Sequence, residues 1–504
     1  MAGKVAFVGA GCGDPRLLTI RAAEVIAEAD FVLFDPEVHP DVLGRLREGT
    51  PRHPITPQMT TEAIAGLLAD QAKQGKIALR LTWADPLFFG WTDVEGVATA
   101  RYGVEIEIVP GIGPLIGIGA FSGLALTRSS DASPSVAAVS VTRGHESLHD
   151  WSKLATATDM LAIVCDAEVV AETARSLVFY GCNAGDKVAV VENASLPSQR
   201  VIETTLGQVP LLPRARASRV VLVVGERATP LPELRWFEQQ PLFGKRVLIT
   251  RAREQSSGTA EMLRERGADP VVVPTIEIHP PSDPSAMIDV VPAMKDRYDW
   301  VVLTSANGVE RLWAEIRRQG KDARAFGRAR VAAIGPGTAA ALERCGVAAD
   351  LVPKEYRGEA LAAELVAALG DAEGGAGPAR VLVARAEVAR DVVPDTLRAA
   401  GCQVDVVSVY KTRSPPRPIL EALAALLGAG EIDVVTFTSS STVDHLCDAL
   451  EAGAKDLLGK TVVACIGPIT AETAKKRGLR VDVVASDFTI GGLVAALENH
   501  FRNG

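Results

Sequence analysis

The residues best placed for chemistry in this 504-residue chain are small hydroxyls that recur in two loops. Thr304-Ser305-Ala306-Asn307-Gly308-Val309 follows the apolar run Val301-Val302-Leu303, and Thr438-Ser439-Ser440-Ser441-Thr442-Val443 follows Val434-Val435-Thr436-Phe437. The two loops lie 134 positions apart, counted from 304 to 438. Ile334-Gly335-Pro336-Gly337-Thr338 and Ile466-Gly467-Pro468-Ile469-Thr470 form a second pair, with 132 positions from 335 to 467. Serine or threonine at a strand end can cap the helix that follows and present its backbone N–H groups to an anion. Two lobes carrying such loops would make a cleft with matched walls for an anionic ligand.

The elements that must hold these loops are short β-branched runs alternating with Ala/Leu/Glu-rich stretches, the pattern of parallel sheets covered by helices. Arg246-Val247-Leu248-Ile249-Thr250-Arg251 recurs as Arg380-Val381-Leu382-Val383-Ala384-Arg385. The strand-like run 271–278 has its counterpart in 404–412. If both are crossovers, residues 244–278 and 413–504 form one lobe, residues 279–412 form the other, and two antiparallel connectors make a hinge. The proline-rich stretch 229–243, with Trp236 as an aromatic anchor, reads as a linker and separates a first part, 1–228.

Composition narrows the function classes. The length suggests about three domains, and 47% hydrophobic with 23% charged residues is ordinary for a globular protein. A net charge of −9 argues against a nucleic-acid or anionic-membrane partner. The stretch 108–127 is uncharged, but Pro110, Pro114 and its glycines suit a packed soluble helix, so no membrane span is expected. Seven cysteines without a CxxC pair, and a start too quickly interrupted by glycine for a secretory signal, point to a reducing, cytoplasmic setting.

The carboxy-terminal half resembles the uroporphyrinogen-III synthase family. The resemblance lies in the two hydroxyl loops, the two Ile-Gly-Pro motifs, Val409-Tyr410-Lys411-Thr412, and Phe488-Thr489-Ile490-Gly491-Gly492-Leu493, all in family order. It implies two flavodoxin-like lobes joined by a two-strand hinge. It also implies a reaction in which hydroxymethylbilane, a linear tetrapyrrole with eight carboxylates, loses water and closes with ring D inverted, without a cofactor. On that reading Thr304, Ser305, Gly335, Thr338, Ser439, Ser440, Gly467, Thr470 and Thr489 hold the carboxylates. Tyr410 matches the family's connector tyrosine and would protonate the departing hydroxyl, as a phenol can. Arg251, Arg253, Arg385, Lys354 and Arg357 are further carboxylate partners by charge, equally suited to a solvated surface.

At the amino terminus, Lys4-Val5-Ala6-Phe7-Val8-Gly9-Ala10-Gly11-Cys12-Gly13-Asp14-Pro15 runs from a strand into a glycine loop. Its spacing is wrong for a dinucleotide fingerprint. It is similar instead to the tetrapyrrole methylases, and within them to uroporphyrinogen-III C-methyltransferase, which uses S-adenosylmethionine and usually dimerises. Val109-Pro110-Gly111-Ile112, the run 120–127 and Thr142-Arg143-Gly144-His145 extend the likeness. The resemblance assigns the cofactor to Gly9, Gly11, Gly13, Asp14, Asp85 and Pro86, should the domain be active.

The departures sit at that same place. The family's Arg-Leu-Lys-Gly-Gly-Asp-Pro reads Arg80-Leu81-Thr82-Trp83-Ala84-Asp85-Pro86 here, and a Trp83 side chain would fill space that glycine leaves for the cofactor. Asp35 is kept, but the arginine expected next is Pro36. These losses argue for a synthase with a degenerate methylase-like domain. A bifunctional enzyme that also methylates its product stays open, as does a sensor that has lost turnover. The zincin-like string His145-Glu146-Ser147-Leu148-His149 coincides with the family's Thr-Gly-His turn rather than a helix, so no metal is expected.

Overall fold

The computed structural model describes residues 3–127, 135–143, 149–156, 158–251, 256–370 and 378–502. His145, Gly144 and Arg253, named above, lie outside them. By its internal contacts the chain forms two compact units. One comprises residues 1–247, 260–271 and 494–504, the other residues 248–259 and 272–493.

The first unit contains two five-stranded sheets. In the first, the order is Arg52–Pro54, Phe31–Phe34, Ile77–Thr82, Lys4–Gly9, Glu105–Val109, all parallel. The strand Lys4–Gly9, paired on both sides, is apolar and buried from Val5 to Val8, as a parallel strand covered on both faces must be. The second sheet runs Ala137–Val141, Met160–Asp166, Arg219–Gly225, Lys187–Glu192, Arg200–Thr205, and departs from the all-parallel expectation. Three of its four pairings are antiparallel. The reason is local: Glu192 and Arg200 are joined by a short loop with Asn193 and Ser195 at positive φ, leaving no chain for a helical crossover. The stretch beyond Ile108 forms only the short helix Pro114–Ser122, ended by Gly123 in the left-handed region. No helix of the described residues is long and apolar enough to cross a membrane.

The proline-rich segment packs by aromatic contacts. Trp236 donates its indole N–H to the Ala120 carbonyl at 2.9 Å, and Phe237, 2% exposed, meets Phe121 edge-on at 5.0 Å.

Two further sheets carry the repeat. One is ordered Asp269–Val272, Arg246–Ile249, Val434–Phe437, Val462–Cys465, Val483–Val484. The other is ordered Glu277–His279, Gln403–Arg413, Arg380–Ala386, Trp300–Leu303, Arg330–Ala333. The first has the flavodoxin-like order 2-1-3-4-5; the second repeats 2-1-3-4 and closes its edge with an antiparallel strand. That edge pair, Glu277 opposite Arg413 and His279 opposite Lys411, is the two-strand hinge. The single run 271–278 is interrupted at Pro274 and Thr275, so its halves serve different sheets.

Alternating residues of each buried strand feed opposite cores. Val301 and Leu303 pack with Leu312, Ile316 and Leu382, whereas Trp300 and Val302 pack with Leu361, Leu365 and Val381. A helix follows each such strand at its carboxyl end, the place where open α/β sheets hold ligands.

Candidate active site

Ser305 follows the strand Trp300–Leu303 and caps Ala306–Arg318. Its hydroxyl accepts the Gly308 N–H at 3.0 Å and lies 3.0 Å from the Tyr410 hydroxyl. The register explains how Tyr410 gets there. Arg385 pairs with Ser408 and Ala386 with Tyr410, so Val409 is an extra residue in a bulge that re-aims the next side chain. Tyr410 is 7% exposed. Burial pushes its phenol above the usual value, partly offset by the bond to Ser305, so it keeps its proton throughout the neutral range. Thr304 is half-buried at the strand end.

Arg385 ends the neighbouring strand and is mostly covered. Its guanidinium reaches Asp391 at 2.6 Å and the Arg390 carbonyl at 2.9 Å, while its buried Nε has no partner among the described residues. Lys354 and Arg357 are exposed, and Arg357 is paired with Glu355. Burial lowers the Arg251 guanidinium pKa.

The other loop is built on the same plan with different wiring. Ser439 caps Ser440–Leu450 through a capping box with Thr442. Ser440 accepts from the Thr473 hydroxyl at 2.8 Å. Beneath them Thr250 and Thr436 exchange bonds with the carbonyls of Thr436 and Leu248, both at 2.8 Å, clasping the two strands. Thr489 caps the last helix through the Gly492 N–H at 3.0 Å and donates to Asp487 at 2.9 Å.

Gly335 and Gly467 cap Pro336–Arg344 and Pro468–Lys476 with extended backbone and no side-chain bond. The exposed rings of Tyr356 and Phe488 lie against these two glycines. Phe488 entered only as part of the terminal motif and Tyr356 not at all, although their shared spacing of 132 was a usable signal. Thr338 and Thr470 are each 5% exposed, buried in the first turns rather than presented at the loop surface. The structure therefore brings Ser305 to Tyr410, Ser440 to Thr473, and each glycine cap to an aromatic ring.

In the amino-terminal unit the glycine loop is closed on the Trp83 loop. Gly11 and Ala84 exchange backbone bonds at 3.1 and 3.0 Å, and a Cβ on Gly9 would meet the Ala84 carbonyl at 2.5 Å. Ala84 holds φ of 64°, a left-handed conformation at a position where the methylases have glycine. Gly11 and Gly13 also have positive φ. The two acidic residues assigned to the cofactor are engaged internally. Asp14 receives the backbone and guanidinium of Arg16, and Asp85 receives the N–H groups of Leu87, Phe88 and Gly111 at 2.8–2.9 Å. Pro86 is buried and accepts the Thr92 N–H. Asp35 accepts the Trp83 N–H and pairs with buried Arg80, which also binds Glu95.

Trp83 packs on the core around Ile118 and Leu124, with the Arg219 guanidinium 5.1 Å from its ring centroid. The cavity beside it, bordered also by Cys12, Gly13, Glu37 and His39, holds about 110 Å³. Sites for ligands of cofactor size are usually about 300 Å³ or more, so this cavity is too small for S-adenosylmethionine. A larger cavity, about 460 Å³, lies beside Arg143, Glu168 and Arg214; both arginines there are already paired with Glu168.

Residues 257–495 match the family described as uroporphyrinogen-III synthase HemD, and residues 4–210 match the tetrapyrrole (corrin/porphyrin) methylases. The porphyrin biosynthesis protein HemD of Ruminiclostridium josui is 29% identical over 98% of this chain and 97% of its own length. Siroheme synthase 1 of Yersinia enterocolitica is 34% identical over 47% of this chain, which spans about half, 52%, of that relative. Among solved structures, a uroporphyrin-III C-methyltransferase of Thermus thermophilus complexed with S-adenyl homocysteine is 30% identical. It covers 44% of this chain and 98% of its own, with a TM-score of 0.38. The chain is thus a fusion of a tetrapyrrole methylase domain and a uroporphyrinogen-III synthase domain, the second of which makes it a lyase of tetrapyrrole biosynthesis.

Proposed function

We propose that the synthase half holds hydroxymethylbilane by its carboxylates at the capped helix starts and that Tyr410 protonates the departing hydroxyl. The observation that carries this reading is the 3.0 Å contact between Tyr410 and Ser305 at the end of a sheet strand. Ser305 already accepts from Gly308, so its own proton is free to go to the phenol oxygen. That leaves the Tyr410 proton for the substrate. Its transfer releases water and leaves an electron-deficient methylene on ring A, which ring D attacks through its substituted carbon. The bond from that carbon to the ring C methylene then breaks, and ring D recloses on that methylene through its open carbon, giving uroporphyrinogen III and returning a proton. Holding the chain for that attack is the larger part of the task, since positioning alone removes much of a barrier.

The helix starts suit the anions. Each offers the positive end of the peptide dipoles, an arrangement worth about 0.3–1 kcal/mol for each exposed charge. Ser305→Ala and Ser439→Ala separate the two roles. The first should lower kcat with little change in KM, because it touches the acid. The second should raise KM about threefold with kcat kept, because it loosens a binding loop. If both variants leave both constants unchanged, the site is wrongly placed.

The reading divides the chain into a methylase-like domain at 1–228, a linker at 229–243, one lobe from 244–278 and 413–504, and a second lobe with the hinge strands at 279–412. Membership of the two repeat sheets supports this division except at 277–278, which pair in the second lobe's sheet. In the amino-terminal domain, Trp83 in the cofactor's place supports the loss of methyl transfer over a bifunctional enzyme. Exposed Leu87, Phe88 and Trp91 support a homodimer through that domain, and seven free cysteines support a cytoplasmic setting.

A further inference from the structure

The repeat that pairs the hydroxyl loops also pairs two aromatic rings. Tyr356 and Phe488 are 132 positions apart, the same spacing as Gly335 and Gly467. Each ring lies against its glycine. A Cβ on Gly335 would come within 3.2–3.4 Å of Tyr356, and one on Gly467 within 3.1–3.6 Å of Phe488. The rest of each ring is open, for Tyr356 is 62% and Phe488 60% exposed. The chain leading to each ring is pinned alike. Asp350 accepts the Val331 N–H at 2.7 Å and Asp482 the Val463 N–H at 2.9 Å, again 132 positions apart.

A single exposed aromatic needs no explanation. The same exposed ring on the same glycine cap in both halves of a repeat is a construction, because each half keeps a large apolar face in water where packing does not require it. Beside each ring a helix begins at a glycine cap that makes no side-chain bond, with proline as its first residue. A flat apolar face next to an anion-seeking helix start matches a planar ring bearing carboxylates on short arms. That is the repeating unit of a linear tetrapyrrole.

We propose that Tyr356 and Phe488 each stack on a pyrrole ring of the bilane, as positioning residues that fix two rings while ring D turns. This rests on the synthase reading of the site. The test uses the full chain with hydroxymethylbilane, measuring kcat, KM and the ratio of type III to type I product. Tyr356→Ala and Phe488→Ala should each raise KM about fivefold, the range of one aromatic contact, and increase the type I share as ring D gains freedom to attack through its open carbon. Tyr356→Leu and Phe488→Leu keep apolar bulk on the glycine without a flat face, so they should behave like the alanine variants. Tyr356→Phe and Phe488→Tyr should restore binding.

Unchanged KM and isomer ratio in the alanine variants would overturn the inference. So would leucine variants that match the unmodified chain, since packing on the glycine would then suffice. The two levels are distinguishable: an unmodified chain that yields type III product while its alanine variants do the same sinks only the stacking, whereas an unmodified chain yielding type I alone sinks the synthase reading and the stacking together.

Discussion

Tyr410→Phe lowers turnover of hydroxymethylbilane about a hundredfold, the low end of what a general acid contributes, and changes KM by less than about twofold. The low end applies because the substrate loses its hydroxyl readily without help. The phenylalanine ring fills the same buried space, so the packing with Leu382, Ala384 and Val409 is kept. What is lost is one hydroxyl and its bond to Ser305. The Ser305 hydroxyl still accepts from Gly308, so the helix cap survives, and stability falls only about 1 kcal/mol. The pH dependence supplies a second check. Burial raises the phenol, so the unmodified enzyme keeps its acid protonated past pH 10, where a free phenol ionises. Folding stability has the matching sign: an unfolded chain releases the Tyr410 proton first, so this tyrosine's contribution declines as pH rises above about 10. Single-turnover rates of the variant and the unmodified chain decide the matter. Equal rates would remove Tyr410 from the proton path.

The unmodified chain gives no binding heat with S-adenosylmethionine at about 100 μM, and Trp83→Gly improves affinity at least tenfold. The obstacle is steric. The loop around position 84 already has a left-handed conformation of the kind glycine favours, since Ala84 sits at φ 64° despite its methyl group. The backbone is therefore preformed, and the indole with the Arg219 guanidinium over it takes up the remaining space. Removing the ring enlarges a cavity of about 110 Å³ without asking the loop to move. Asp85 still holds the loop through three backbone N–H groups. Titration calorimetry on both proteins measures this directly. Tight binding by the unmodified chain would show that Trp83 does not stand in the way and would revive the bifunctional reading.

Much of the synthase half was legible in the sequence because its repeat is written in strand and turn residues. Buried parallel strands need continuous apolar runs, and helix starts need Ser, Thr or Gly, so both kinds of signal recur at fixed spacing. The contact between Ser305 and Tyr410 was not legible, because it depends on sheet order and on the bulge at Val409, neither of which leaves a local pattern. The burial of Thr338 and Thr470 was not legible for a related reason. A threonine three residues past a cap points into the first turn as readily as toward a ligand, and these two are buried. The antiparallel hairpin from Lys187 to Thr205 was missed because its strands, buried and β-branched, read like those of a parallel sheet. Asp14 and Asp85 carried the right family signature but spend their carboxylates on the fold. Tyr356 and Phe488 shared the spacing of the repeat, yet a lone exposed aromatic on either side attracts no attention until both are seen against a glycine cap.

The central claim is that this chain closes hydroxymethylbilane with one ring inverted. Freshly generated hydroxymethylbilane is given to the purified full chain, and the product isomers are separated after oxidation to uroporphyrins. Type III product is expected, formed well above the spontaneous rate and without added S-adenosylmethionine or metal. Type I product alone, at the rate seen without protein, would contradict it.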